Sequence, residues 1–155
     1  MSQQLHTIVV GGGQAGLVMS HYLTQCGFEH LVFERARVAE RWRSERWDSL
    51  YFQFPNRYLK LPGLAYDGDT PDGFMHRDGV VGFLERYAEF VRPPLHCGVN
   101  VSRVERDPHG GFKVHTPQTT YRAQNVVIAT GPYQQPAIPV ISAHLSPQVT
   151  QLAAS

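Results

Sequence analysis

The chain has 155 residues, enough for one domain of ordinary size and too few for two full ones. A hydrophobic share of 42% with 11% aromatics can build a core and excludes disorder, collagen and coiled coil as the main architecture. The formal charge of +1, from 14 Lys and Arg against 13 Asp and Glu, gives no global attraction to nucleic acid or to an anionic membrane.

The elements follow in chain order. Thr7 to Val10 is a short apolar run ending in three glycines, the pattern of a buried parallel strand feeding a tight turn. Ala15, Val18, Met19, Tyr22, Leu23 and Cys26 then fall at helical spacing, and Gly27 stands where a helix stops. His30 to Glu34 is a second strand, so strand, glycine turn, helix and strand fit within about 30 residues, the size of a βαβ unit. From Arg35 to about Arg77 no periodicity lasts, and Pro55, Pro62, Gly63, Gly68, Pro71 and Gly73 punctuate the stretch. So long an irregular segment in a compact domain implies a functional loop. Asp78 is placed to N-cap a helix with Val81, Leu84, Ala88 and Val91 on one stripe and Pro93 and Pro94 as the stop. The rest is β-rich: Val99, Val101 and Val104, then Phe112 and Val114, flank an Asp107-Pro108-His109-Gly110-Gly111 turn, and Tyr121 and the Val126 to Ala129 run supply further strands. After Pro136 and Pro139 the pattern weakens.

These elements predict an α/β fold, a doubly wound Rossmann-like domain over residues 1–140 with a small β-meander, a long loop at 35–77 and a tail at 141–155. The two cysteines, Cys26 and Cys97, lie far apart without C-x-x-C spacing, against a disulfide scaffold, a zinc site or a dithiol centre. Glycines interrupt the Ile8 to Met19 stretch well short of the roughly 20 apolar residues of a membrane span, and Met1 to His6 carries no positive segment. The expectation is a soluble, unexported, cytoplasmic protein.

Gly11, Gly13 and Gly16 fit G-x-G-x-x-G. The first permits the tight turn, the second lets backbone approach a pyrophosphate, and the third lets helix pack on strand. Gln14 and Ala15 open the helix, whose free N–H groups and positive dipole end then point at the phosphates. Glu34 ends the second strand 18 residues after Gly16, near the spacing of a ribose-binding acid. A carboxylate there can accept from both adenosine ribose hydroxyls, in charge-assisted bonds worth roughly 1.5–3 kcal/mol each. The fingerprint itself does not choose between NAD and FAD, since both present an ADP half to it.

Four separated motifs carry a wider likeness. The run Val9 to Leu17, then Phe33-Glu34-Arg35, then Trp42-Arg43-Ser44-Glu45-Arg46-Trp47-Asp48-Ser49-Leu50, and Val127-Ile128-Ala129-Thr130-Gly131-Pro132-Tyr133-Gln134-Gln135-Pro136 together resemble the flavin-containing monooxygenase family, with its N-hydroxylating and Baeyer–Villiger relatives. The resemblance implies FAD bound by this N-terminal portion, reduction by NADPH, and activation of O₂ for oxygenation of a small organic substrate. It implies that Gly11, Gly13 and Gly16 line the pyrophosphate, Glu34 the ribose, and Arg35 the ribose or adenine. Trp42 would lie in the loop toward the isoalloxazine, Val101 on a strand offering backbone groups to the adenine, and Ala129, Thr130 and Gly131 in a turn closing over the cofactor. The family's second G-x-G-x-x-G, for NADPH, and its F-x-G-x-x-x-H segment are absent from these residues. That predicts an N-terminal portion of a longer protein, or a short protein whose fold a second chain completes, with no efficient use of NADPH by itself. The alternatives are a non-catalytic dinucleotide-binding module and a fragment of an NAD-dependent reductase.

Three features have blander readings. Arg35, Arg37, Arg41, Arg43, Arg46, Arg57 and Lys60 interleave with Trp42, Trp47, Tyr51, Phe52, Phe54 and Tyr58, which suits a flavin and its phosphates, an ordinary packed loop or, least of all, single-stranded nucleic acid. Asp67, Asp69, Asp72 and Asp78 lack the glycine and terminal glutamate of a calcium loop and predict an acidic turn. No histidine, His76 included, is placed for metal binding, and no catalytic acid or base is assigned.

Overall fold

A computed structural model describes residues 5–132 and 137–152. Strand β1 (Leu5–Val10) is buried from Thr7 onward and runs into the glycine turn, where Gly11 adopts φ +115. Helix α1 (Gln14–Gln25) ends where Gly27, at φ 72, sends its N–H to the Thr24 carbonyl at 3.0 Å while Phe28 N–H reaches the Leu23 carbonyl at 2.9 Å. This pair of hydrogen bonds is the glycine-dependent closure that Gly27 predicts. Strand β2 (His30–Glu34) then pairs parallel to β1, Thr7 opposite His30 through Val10 opposite Phe33.

The buried face of α1 is not the predicted stripe. Gly16, Leu17 and Ser20 face inward, while Ala15, Tyr22 and Cys26 are exposed. The reason is proximity: a Cβ on Gly16 would stand 1.8 Å from the Gly11 carbonyl oxygen, and Ser20 Oγ lies 2.7 Å from His30 Nε2. The helix approaches the sheet through small residues, so an apolar-spacing rule points to the wrong side.

The segment 35–77 is more organised than predicted. It contains a short helix α2 (Glu40–Ser44), a 3₁₀ turn at Asn56–Tyr58, and an antiparallel hairpin of β3 (Lys60–Leu61) and β4 (Leu64–Ala65). Helix α3 (Arg77–Val91) follows. Its N-cap is His76, whose Nδ1 accepts the Asp78 N–H at 3.3 Å; Asp78 lies inside the first turn, where its charge suits the helix dipole. Val80, Val81, Phe83, Leu84 and Tyr87 are buried, whereas Ala88 and Val91 of the predicted stripe are only half-buried. Ala39, Val80, Val81 and Leu84 form a cluster against which Trp42, Phe52, Leu61 and Met75 pack, joining the long segment to α3. Arg92 closes the helix at φ 49, ahead of Pro93 and Pro94.

Strands β5 (Leu95–Cys97), β6 (Arg103–Arg106), β7 (Phe112–His115) and β8 (Thr120–Ile128) complete a six-stranded sheet of order β5-β2-β1-β8-β7-β6. β5, β2, β1 and β8 are parallel; β8, β7 and β6 form the expected antiparallel meander. Tyr121 and Val126 to Ile128 belong to one strand rather than to several, its first part pairing with β7 and its later part with β1. Val104 lies in β6, but Val99 and Val101 lie between strands, in the connection from β5 to β6. Ile8, Val10 and Phe33 cluster with Val114 and Ala123, so the meander packs on the sheet face opposite the one that Val9 presents to Gly16 of α1. The β6–β7 turn is tied by the buried Asp107, which accepts the His109 N–H at 3.0 Å and meets Arg122 at 2.6 Å. No described helix is long and apolar enough to cross a membrane.

Candidate functional site

The carboxyl ends of β1, β2 and β8 converge on one cleft, the place where parallel α/β sheets bind ligands. The glycine turn forms its floor. Gly11 N–H donates to the Phe33 carbonyl at 2.7 Å, and Ala129 N–H to the Val10 carbonyl at 2.8 Å, binding the three strand ends together. The motif glycines divide by role. A Cβ on Gly11 would lie 2.4 Å from the Ala129 carbonyl oxygen and one on Gly16 would strike Gly11, so both are required by the protein's own packing. A Cβ on Gly13 would meet nothing within 4 Å, which leaves a cradle on the cleft side of the turn that a side chain would fill. Among the described residues no side chain caps α1, and its first turn holds no acidic residue, so its leading amides face the cleft beside Gln14 and Ala15.

Glu34 is buried, and both of its carboxylate oxygens are engaged: Oε2 accepts the Gly12 N–H at 2.7 Å and Oε1 the Ala36 N–H at 3.0 Å. Its backbone carbonyl accepts the Val99 N–H at 2.9 Å. The acid therefore braces the turn as well as facing the cleft, and its remaining lone pairs are what a ribose could use. Gly12, outside the predicted set, is required here because a Cβ on it would lie 2.8 Å from the Glu34 Cβ.

The cleft is about 770 Å³, the size range of cofactor sites. It gathers Gly11, Gly13, Gln14, Ala15, Glu34 and Arg35 with Trp42, Val101, Ala129, Thr130 and Gly131. Of the predicted residues only Gly16 does not line it, lying beneath the turn against Gly11. Val101 reaches it from the extended connection rather than from a strand. Tyr133 to Pro136, the end of the fourth motif, lie outside the described residues. Arg41 and Arg46, from the basic stretch whose composition suits a flavin and its phosphates, also line the cleft, and so does Asn100, which no sequence signal marks.

Most of the basic loop is neutralised internally. Arg35 and Arg41 both pair with Glu45, Arg37 with Glu40, Arg43 with Glu85 and Arg57 with Asp72. Arg41 Nη1 also donates to the Pro132 carbonyl at 2.7 Å, tying α2 to the turn after β8. The acidic turn residues are likewise spent on arginines, Asp67 on Arg86 and Asp72 on Arg57. Among the described residues no group of three metal-ligating side chains assembles.

A model of the pyridine nucleotide-disulphide oxidoreductase family matches residues 8–152. An uncharacterised CzcO-like oxidoreductase of Geobacillus kaustophilus is 37% identical over 153 residues, covering 98% of this chain and 43% of that protein. Indole-3-pyruvate monooxygenase YUCCA4 of Oryza sativa is 28% identical over 149 residues, covering 85% of this chain and 34% of that protein. Among solved structures, a flavin-containing monooxygenase from Stenotrophomonas maltophilia superposes with a TM-score of 0.77 at 25% identity, over 90% of this chain and 42% of that one. The chain thus spans less than half the length of the curated relatives it matches.

Proposed function

The chain belongs to the pyridine nucleotide-disulphide oxidoreductase family, and on that premise we propose that it is the FAD-binding portion of a flavin-dependent monooxygenase that uses NADPH and O₂ on a small organic substrate. The observation that carries the reading is the cradle at Gly13, open to the cleft, between the uncapped start of α1 and the buried Glu34. The residues fit an ADP-containing dinucleotide. The amides of the turn and of α1 would hold the pyrophosphate. Glu34 would accept from the ribose, with Arg35 and the Val99 to Val101 connection beside the adenine. Trp42 and the Ala129 to Gly131 turn would bound the flavin end. FAD, when bound, supplies two-electron exchange between a nicotinamide donor and O₂. This chain's own part is to bind it, orient it and wall it from water; no side chain here is assigned a proton-transfer role. The monooxygenases among the relatives support this reading over a module without turnover.

The test is to express the 155 residues, add FAD, and follow the flavin band after gel filtration. A yellow protein, bleached by dithionite, is expected. With a single G-x-G-x-x-G in the sequence, and that one filled by FAD, NADPH should bleach the flavin no faster than it bleaches free FAD. A colourless protein that ignores added FAD contradicts the reading, and rapid saturable bleaching by NADPH contradicts its nicotinamide clause.

A further inference from the structure

We propose that Arg46 is a second anion-binding group of the cleft, held in position by the first residues of α3; the inference rests on the cleft being a dinucleotide site. Three arginines line it, Arg35, Arg41 and Arg46. The first two share the Glu45 carboxylate. Among the described residues Arg46 meets no carboxylate: its Nη1 donates to the backbone carbonyl of the adjacent Glu45 at 3.3 Å. A guanidinium carries five N–H donors in a rigid plane and stays charged at every working pH. Most of that capacity is therefore left for water or for a partner from outside the protein that enters the cleft.

The backbone around Arg46 is fixed from behind, independently of any ligand. Arg77 Nη1 donates to the Arg46 carbonyl, and Arg77 Nη2 meets the Asp48 carboxylate at 2.6 Å. Arg77 N–H donates to the Leu50 carbonyl at 2.9 Å, and His76 Nε2 lies 2.6 Å from the Asp48 carbonyl oxygen. Phe52 N–H then reaches the Met75 carbonyl at 2.7 Å. Three successive alternate carbonyls, of residues 46, 48 and 50, are thus gripped by two residues at the start of one helix. The Arg77 side chain is only 16% exposed, although the Asp48 carboxylate it meets is open to water. A loop ordered before the ligand arrives does not charge its ordering entropy to binding. Arg77 and His76 are positioning residues in this arrangement, and Arg46 is the group that touches the ligand.

The partner chemistry is an acceptor oxygen, which a planar guanidinium binds in charge-assisted hydrogen bonds. A flavin dinucleotide offers two, the anionic pyrophosphate and the pyrimidine edge of the flavin ring, whose oxygens are neutral carbonyls in the oxidised flavin and gain negative charge on reduction. ADP carries only the first, which lets one experiment separate them.

The experiment titrates the 155-residue chain with ADP and with FAD, following tryptophan fluorescence and, for FAD, flavin fluorescence, at low and moderate salt. Arg46→Gln is expected to weaken FAD binding by about tenfold or more and to reduce its salt dependence. Arg46→Lys, which keeps the charge without the fork, should recover part of the loss. Arg77→Gln should weaken FAD binding less than Arg46→Gln does, with the circular dichroism unchanged. If ADP loses as much as FAD, the pyrophosphate is the partner; if ADP is unaffected, the flavin is. Unchanged affinities for both ligands in Arg46→Gln, while the parent chain binds both, overturn this proposal alone. A parent chain that binds neither ligand overturns the dinucleotide reading itself and this proposal with it.

Discussion

Two substitutions in the same glycine motif should have opposite consequences, Gly16→Ala for the fold and Gly13→Ala for the ligand. At Gly16 the added methyl would sit 1.8 Å from the Gly11 carbonyl oxygen, where contacts under 3.0 Å essentially never occur, so backbone must move by more than an ångström. The carbonyl belongs to the turn that ties β1 to β2 and cannot swing aside as a side chain could. Overpacking ordinarily costs about 1–3 kcal/mol; with backbone as the obstacle we expect about 4 kcal/mol, after the gain of roughly 1 kcal/mol from alanine's helix propensity. For a chain of this size that lowers Tm by roughly 8–16 °C. Gly13 has φ −86 and ψ −169, which any residue adopts, and its Cβ would touch nothing. Alanine there stiffens the unfolded chain by about 0.4–1 kcal/mol and is a poorer N-cap by a similar amount, so stability should stay within about 1 kcal/mol. Thermal unfolding without ligand measures both variants, and flavin content after gel filtration measures the site. Gly13→Ala should melt like the parent yet hold little FAD. If it retains full flavin, or if Gly16→Ala melts like the parent, the division of roles among the glycines is wrong.

Glu34→Ala removes the acceptor of two backbone N–H groups and should cost about 3 kcal/mol even without FAD, with Glu34→Gln losing about half as much; equal melting of all three proteins contradicts the brace. Tyr87 is fully buried and its hydroxyl meets no hydrogen-bond partner among the described residues, so Tyr87→Phe should raise stability by about 1 kcal/mol in urea unfolding, and a loss would mean that the hydroxyl is satisfied. The backbone N–H of His109, with Arg122 beside it, holds the Asp107 carboxyl below the usual carboxylate range. Its contribution is therefore complete above about pH 3.9 and is lost as pH falls through the lower folded value. Asp107→Asn should flatten that acid limb of the stability profile, and an unchanged limb would assign it to other carboxylates.

What was legible in the sequence depended on range. β2 is visible residue for residue, because His30 to Glu34 is an apolar run bounded by turn signals. The glycine turn and its acid are visible because Gly11 and Gly16 answer steric demands of the turn itself and Glu34 ends the next strand. The inward face of α1 is not, since helix and sheet meet through Gly16 and Ser20, and apolar spacing is blind to small residues at a close approach. Residue preference points to Asp78 as the cap of α3, while His76 takes it because its ring is also held at the Asp48 carbonyl, 28 positions away in sequence. α2 and the β3–β4 hairpin are too short to carry a period, and they are fixed by packing on α3 and by ion pairs such as Arg43 with Glu85. Arg46 looked like any other member of a basic loop. Its distinction is which of its neighbours found carboxylates, and that is settled only by the tertiary structure.

The claim most exposed to test is that this one cleft holds the ADP half of FAD. Isothermal titration of the chain with FAD and with FMN, each repeated in excess ADP, measures it directly. FMN lacks the adenosine that Glu34 and the Val99 to Val101 connection would hold. Saturable binding of FAD at one site per chain, displacement by ADP, and at least about tenfold weaker binding of FMN are expected. FMN binding as tightly as FAD, or FAD binding undisturbed by saturating ADP, would contradict it.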